Sequence, residues 1–373
     1  MRVEVLHDGA LSTAPQLTCA YPLAACGADG SVVCVYRRGK EKHSYDGVLL
    51  SQRSADLGRT FAEPAVLFDG RDLDPPLSAI SGGVCACGDG SLLALLMAVA
   101  VTRPGDYVFS EAGLTQRHLL VTARSTDGGR SWEPWAEVDQ QALGKPLGPT
   151  SSPLLLAGGR LFVPGERRHP EGQLGLCASF SDDHGRSLQP VRDTVIDPRA
   201  ELSLCDARYA IFDDGQVLAL IWAFRPSDEQ TVEVHRSLST DHGQAWSAAR
   251  PVGHLGQITA PLVLAGDTVL AASNYRWPPQ GIRLWLSHDR GLQWPVADSV
   301  QMWDAGERRM LARPLPVAER QSASGVWNAL PLFTFGTPDL TALPDGTALL
   351  TYYAENEGLA QVRACRFRVH EAG

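Results

Sequence analysis

The stretch Ser125-Thr126-Asp127-Gly128-Gly129-Arg130-Ser131-Trp132 decides how the chain is to be read, because its pattern returns four more times. Ser-x-Asp-x-Gly-x-x-aromatic recurs as Ser54-Ala55-Asp56-Leu57-Gly58-Arg59-Thr60-Phe61, from Ser239 to Trp246, and from Ser287 to Trp294. A fifth copy, Ser181 to Leu188, carries leucine in place of the aromatic. Each component has a local use. Serine and aspartate oxygens satisfy backbone amides inside a turn, glycine reaches the left-handed region, and the aromatic plugs the turn into a core. The aspartates are therefore read as turn builders rather than catalysts or metal ligands.

A second turn alternates with the first. It appears at Asp29-Gly30, Asp89-Gly90, Gly158-Gly159, Asp214-Gly215, Gly266-Asp267 and Asp345-Gly346. Such dipeptides favour tight hairpins, and their flanks (Val32 to Tyr36, Leu92 to Leu96, Val217 to Trp222, Ala348 to Tyr353) are strand-like. Six inner hairpins interleaved with five Asp-containing turns describe four-stranded blades set radially. The expected fold is all-β: a six-bladed β-propeller of four-stranded antiparallel blades, one domain over residues 1–373. The sixth blade lacks an outer turn, so it is expected to close by pairing the segment Val362 to Val369 with a strand near Val3. No stretch has sustained helical periodicity with caps.

Composition narrows the partners. A net charge of −9 disfavours nonspecific nucleic-acid binding, although a local patch can oppose the global sign. No apolar run is long enough to span a bilayer, and Met1 to Thr13 has no secretory pattern. Eight cysteines lack zinc-type spacing and sit mostly in strand-like segments, as expected of reduced thiols in a cytoplasmic protein. There is no metal motif and no phosphate-binding glycine loop, so no cofactor is expected. A small molecule or oligosaccharide is the expected partner, with neither nucleic acid nor membrane.

The five Asp-containing turns resemble the Asp boxes of the sialidase (neuraminidase) superfamily, and the resemblance runs from about Tyr21 to Val369. It implies a retaining glycosidase in which arginines hold the substrate carboxylate, an aspartate is the acid/base, and a tyrosine supported by a glutamate is the nucleophile. The family's first arginine would fall in Cys19-Ala20-Tyr21-Pro22-Leu23, where none stands. Asp46 occupies the interval of the acid/base, and Asp206 the place of the supporting glutamate, nine residues before Gly215. At the nucleophile's place the chain has Thr337-Pro338-Asp339.

The mouth also follows from strand geometry. If all the turns lie on one face, the opposite face is built from residues about nine before each inner turn glycine and seven to ten after it, given a rise of about 3.3 Å per residue. The approach positions are Tyr21, Ser81, Thr150, Asp206, Gln257 and Thr337, with Asp339 close by. The departure positions include Arg37, Arg38, Glu166, Arg167, Arg225, Arg276 and Tyr353. Val101 to Arg117 is expected to add to the rim. Several arginines on one face of an acidic chain suit a carboxylate, sulfate or phosphate. Arg37, Arg38, Glu166, Arg167, Arg225, Gln257, Arg276 and Asp339 are thus candidate substrate contacts.

Asp46 and Asp206 are candidate catalytic carboxyls, with His43 a proton-transfer partner three residues before Asp46. His118 and His169 are weaker candidates. The leading expectation is a glycoside hydrolase acting on a terminal nonulosonic or uronic acid. A non-catalytic carbohydrate-binding propeller and a polysaccharide lyase on the same blades are the alternatives.

Overall fold

The strands form six four-stranded antiparallel sheets. The computed structural model describes residues 1–12, 16–100, 118–228, 230–306, 332–356 and 358–370. Blade one comprises Thr18–Cys26, Val32–Gly39, Val48–Ser54 and Ala65–Phe68, and the next four blades follow in chain order. The first strands of neighbouring blades pack together except between blades three and four, where Leu161–Arg168 and Leu174–Ser181 meet Ser203–Ile211; blade one touches both blade two and blade six, so the sheets close into a ring. The expected six-bladed propeller is what forms.

Blade six contains Phe335–Ala342, Ala348–Asn356, Leu359–His370 and, as its fourth strand, Arg2–Ala10. Val3 pairs with Val369. The sixth outer turn has no signature because this blade's outer two strands come from opposite parts of the chain and need no turn between them. Regular helix among the described residues is limited to one turn, Gln140–Leu143, and two short 3-10 segments. No described helix is long and apolar enough to cross a membrane. All eight cysteines are thiols, seven of them buried.

The Asp boxes join the third and fourth strands of blades one to five. In blade two the Ser125 hydroxyl donates to Asp127 and accepts from Gly129 N, while Asp127 accepts from Arg130 N and Ser131 N, each at 2.9 Å. The box glycines also tie the ring together. Each adopts a left-handed φ and presses on the second strand of the preceding blade: Gly58 on Leu349, Gly129 on Val33, Gly185 on Leu93, Gly243 on Phe162, Gly291 on Leu218. A Cβ at Gly185 would lie 2.2 Å from Leu93 Cδ2, at φ +84°. Gly185→Ala combines left-handed strain with overpacking and is expected to cost about 2–3 kcal/mol, read as a lowered urea midpoint with unchanged slope.

Candidate functional site

The approach positions lie in or just before each blade's first strand, and in four blades the backbone bulges there. Register shifts fall between Ala20 and Leu23, Ala79 and Ser81, Cys205 and Arg208, and Gly336 and Asp339. In three of these bulges the residue nine before the turn glycine holds a left-handed φ without being glycine: Tyr21 at 60°, Asp206 at 46° and Thr337 at 48°. Bulges re-aim side chains, and strain of this kind gathers at functional sites. All six approach residues line a single axial cavity of about 130 Å³. Of the departure residues, Glu166, Arg276 and Tyr353 join them, as does His43 from the blade-one loop.

Blades three and four supply a carboxyl pair. Glu166 Oε2 accepts the Asp206 amide at 2.8 Å, and Arg208 Nη1 stands 3.8 Å from Asp206 Oδ1. Burial, and then the neighbouring Asp206 charge, push the Glu166 carboxyl up to about 8. Asp206 is raised too, chiefly by burial and against the pull of Arg208. With Glu166 raised above neutrality by burial and by the Asp206 charge, its carboxyl holds a proton ready to give.

Blade five supplies a cation. Arg276 lies over Phe333 and Phe335, with its guanidinium carbon 3.9 and 4.4 Å from the ring centres. Its Nε donates to Gln257 Oε1 at 2.9 Å, while Nη1 has no hydrogen-bond partner among the described residues. Asn274 Oδ1 beside it is likewise unpartnered among them. A buried guanidinium with an open donor is built to receive an anion.

Across the ring from blade four, Tyr21 and His43 form a couple. The Tyr21 hydroxyl and His43 Nε2 are 2.6 Å apart, with the rings stacked at 5.5 Å. Burial, reinforced by Arg37 and Lys42, pushes the His43 pKa well down and keeps the imidazole neutral. Lys42 donates to the Phe333 carbonyl and lies 5.3 Å over the Tyr353 ring; burial brings its pKa down to about 7.

Other candidates lie elsewhere. Asp46 does not line the cavity: it accepts from Lys40 N and the Ser44 hydroxyl and so closes its own loop. Arg37 is 1 % exposed and spends its guanidinium on the carbonyls of Ala79, Glu41 and Ser44. Strand alternation turns Arg38 to the opposite side from Arg37, away from the cavity. Arg167 is paired twice with Asp193, at 2.6 and 2.9 Å, and Arg225 with Asp228 in an exposed loop. Asp339 receives the Ala24 amide at 2.9 Å, tying blade six to blade one; it lines another space, which meets the axial cavity at Arg208, and burial raises it to about 6. His169 is buried 4.0 Å from Asp193, and His118 lines a neighbouring cavity. Val101 to Arg117 lies outside the described residues.

Arg208, Trp222 and Asn274 were not singled out by the sequence, yet all three line the axial cavity. Two had a signal. Trp222 stands seven residues after Gly215, the offset of Glu166 and Tyr353 from their own turns, and Arg208 is two along the strand from Asp206, on the same face. Among the described residues no group of three His, Cys, Asp or Glu side chains is placed to hold a metal ion.

Comparison with known proteins agrees with the fold. The profile of the BNR repeat-like domain matches residues 92–306, more than half of the chain. No curated protein matches the chain in sequence. Among solved structures, a protein of unknown function from Dyadobacter fermentans superposes with a TM-score of 0.74 at 18% identity, covering 99% of each chain. The Hadza microbial sialidase Hz136 gives 0.65 at 16% identity, over 93% of this chain and 65% of that one. The intramolecular trans-sialidase from Ruminococcus gnavus gives 0.65 at 13% identity, over 99% and 97%. At such identities the likeness extends to the propeller itself.

Proposed function

This chain belongs to the BNR repeat-like domain family, with a sialidase-like propeller, and from that premise we propose that it is a glycoside hydrolase taking a terminal acidic sugar into the axial cavity. One observation carries the proposal: the carboxyl pair Glu166 and Asp206 shares a small buried cavity with the open guanidinium edge of Arg276. Arg276 holds the sugar's carboxylate. Glu166 gives its proton to the departing glycosidic oxygen. The Tyr21–His43 couple, on the opposite wall, takes the proton of the attacking water: neutral His43 accepts from Tyr21 as Tyr21 accepts from the water.

Two readouts test the proposal. Purified protein on a panel of acidic aryl glycosides, sialosides and uronides included, is expected to release the aryl alcohol. Arg276→Ala is expected to weaken binding of the acidic monosaccharide about 10- to 100-fold, the loss of one charge-assisted contact, while a neutral analogue keeps its affinity. Calorimetry that finds no difference between the acidic and neutral sugars would sink the anion site. A second reading, that of a carbohydrate-binding propeller, is favoured by Thr337, which stands in the cavity where the family's nucleophilic tyrosine would be. Binding without turnover on every member of the panel selects it, and an ultraviolet-absorbing unsaturated product selects a lyase.

A further inference from the structure

A second cavity of about 600 Å³ opens between blades two and three, beside the axial cavity of about 130 Å³. The two are not independent, for Met97, Gly148 and Glu166 line both. Glu166 is fixed on that dividing wall by its backbone: Glu166 N donates to Gly148 O at 2.9 Å, and Gly148 N returns a bond to Glu166 O at 3.0 Å. The carboxyl assigned to protonate a leaving oxygen therefore stands at the junction of a small enclosed space and a larger, more open one.

The far wall of the larger cavity is held as firmly. The helical turn Gln140–Leu143 is capped by Asp139 at one end and ends on left-handed Gly144 at the other. Leu143 and Leu147 are buried in the core beneath, and the Leu143 carbonyl receives the Val191 amide at 2.9 Å. This anchoring presents Lys145 at the cavity's edge, beside Arg167 of the blade-three strand Leu161–Arg168, which also brings Arg168 to the lining. Lys145 and Arg167 share one carboxylate, Asp193, and Arg168 is exposed with Nη1 on the Gly172 carbonyl. Three cations against one shared anion leave this wall positive within a chain of net charge −9.

We propose that this side cavity receives the rest of an acidic oligosaccharide whose terminal sugar occupies the axis, so that the bond to be cut crosses the dividing wall at Glu166. The inference rests on the axial reading above and deepens it. The terminal residue enters the small space, the following residues lie in the large one, and Lys145 and Arg168 meet the carboxylates that recur along such a chain. The protein then acts more tightly on the end of a polyanionic glycan than on isolated acidic monosaccharide conjugates.

The test uses the full chain carrying Glu166→Gln, which keeps bonds intact during titration. N-acetylneuraminic acid and galacturonic acid are compared with their homogeneous linked trimers by calorimetry, with and without Lys145→Ala/Arg168→Ala. For the sugar that binds, the trimer is expected to bind about tenfold or more tightly than the monomer, with an advantage that fades as salt is raised. The double substitution is expected to remove that advantage. A trimer no tighter than its monomer, or an advantage that survives the double substitution, overturns the side cavity while leaving the axial site standing. Failure of both monomers and both trimers to bind overturns the axial reading, and this inference with it.

Discussion

Glu166→Gln is expected to lower kcat about 100- to 10,000-fold with little change in KM, the usual effect of removing a general acid. Glutamine keeps the shape and can still accept the Asp206 amide that Glu166 Oε2 now receives, so the wall between the two cavities survives. What is lost is the proton. The loss should therefore depend on the leaving group: greatest for a sugar alcohol, which needs protonation, and least for an activated aryl alcohol, which departs without it. The pH profile gives a separate check. Glu166 acts protonated, so kcat/KM should fall as pH rises through its raised pKa of about 8. Asp206→Asn removes the charge that helps raise Glu166, and should move that alkaline limb to lower pH. In Glu166→Gln the limb should vanish. Activity kept within twofold, or an alkaline limb unmoved in both variants, would overturn the assignment.

The strands were legible because their signals are local. A box such as Ser125 to Trp132 satisfies its own amides, and its glycine must be glycine because Val33 of the preceding blade lies against it, so the pattern survives wherever a blade turns. The mouth was legible for the same reason. Counting nine residues back from each turn glycine reached Tyr21, Ser81, Thr150, Asp206, Gln257 and Thr337, since a constant rise carries each strand to the same level. Counting forward was less sure. Loops of unequal length follow the second strands, so Arg225 at the end of one swings into solvent while Trp222, three residues earlier, faces the axis. Charge type failed as a guide altogether. Arg276, Arg167 and Arg37 look alike in sequence, but one is open to the cavity, one is neutralised by Asp193, and one is buried among carbonyls. Which of these an arginine becomes depends on partners distant along the chain, such as Gln257 for Arg276 and Ala79 for Arg37. Glu166 likewise meets a partner distant along the chain, the Asp206 amide of blade four.

Arg37→Ala is expected to destabilise the protein by about 3–5 kcal/mol, a large effect for an arginine beside a substrate mouth. The guanidinium is internal. Nε reaches the Ala79 carbonyl of blade two at 2.8 Å, Nη1 the Glu41 carbonyl at 2.5 Å, and Nη2 the Ser44 carbonyl. Burial lowers its pKa to about 10, which leaves it charged throughout the physiological range. Gly39 and Gly47 are small because the fork lies against them: a Cβ on either would come 2.7 Å from a guanidinium nitrogen. Truncation to alanine orphans three carbonyls and empties this space, and the loop between Gly39 and Gly47 loses its tie to blade two. That loop carries Lys42 and His43, so the damage should reach the cavity through geometry rather than through a lost substrate contact. Arg37→Lys is the gentler companion, since it keeps the charge but cannot span three acceptors with one ammonium. It should fold, melt below the wild type, and bind the acidic sugar with nearly unchanged affinity once the comparison is made well below its melting temperature. A substrate-binding Arg37 predicts the reverse: unchanged melting in the lysine variant and an affinity that falls as steeply as that of Arg276→Ala. Denaturant midpoints and calorimetric titration of the two variants separate these cases, because a tie between blades acts on unfolding and a ligand contact acts on binding.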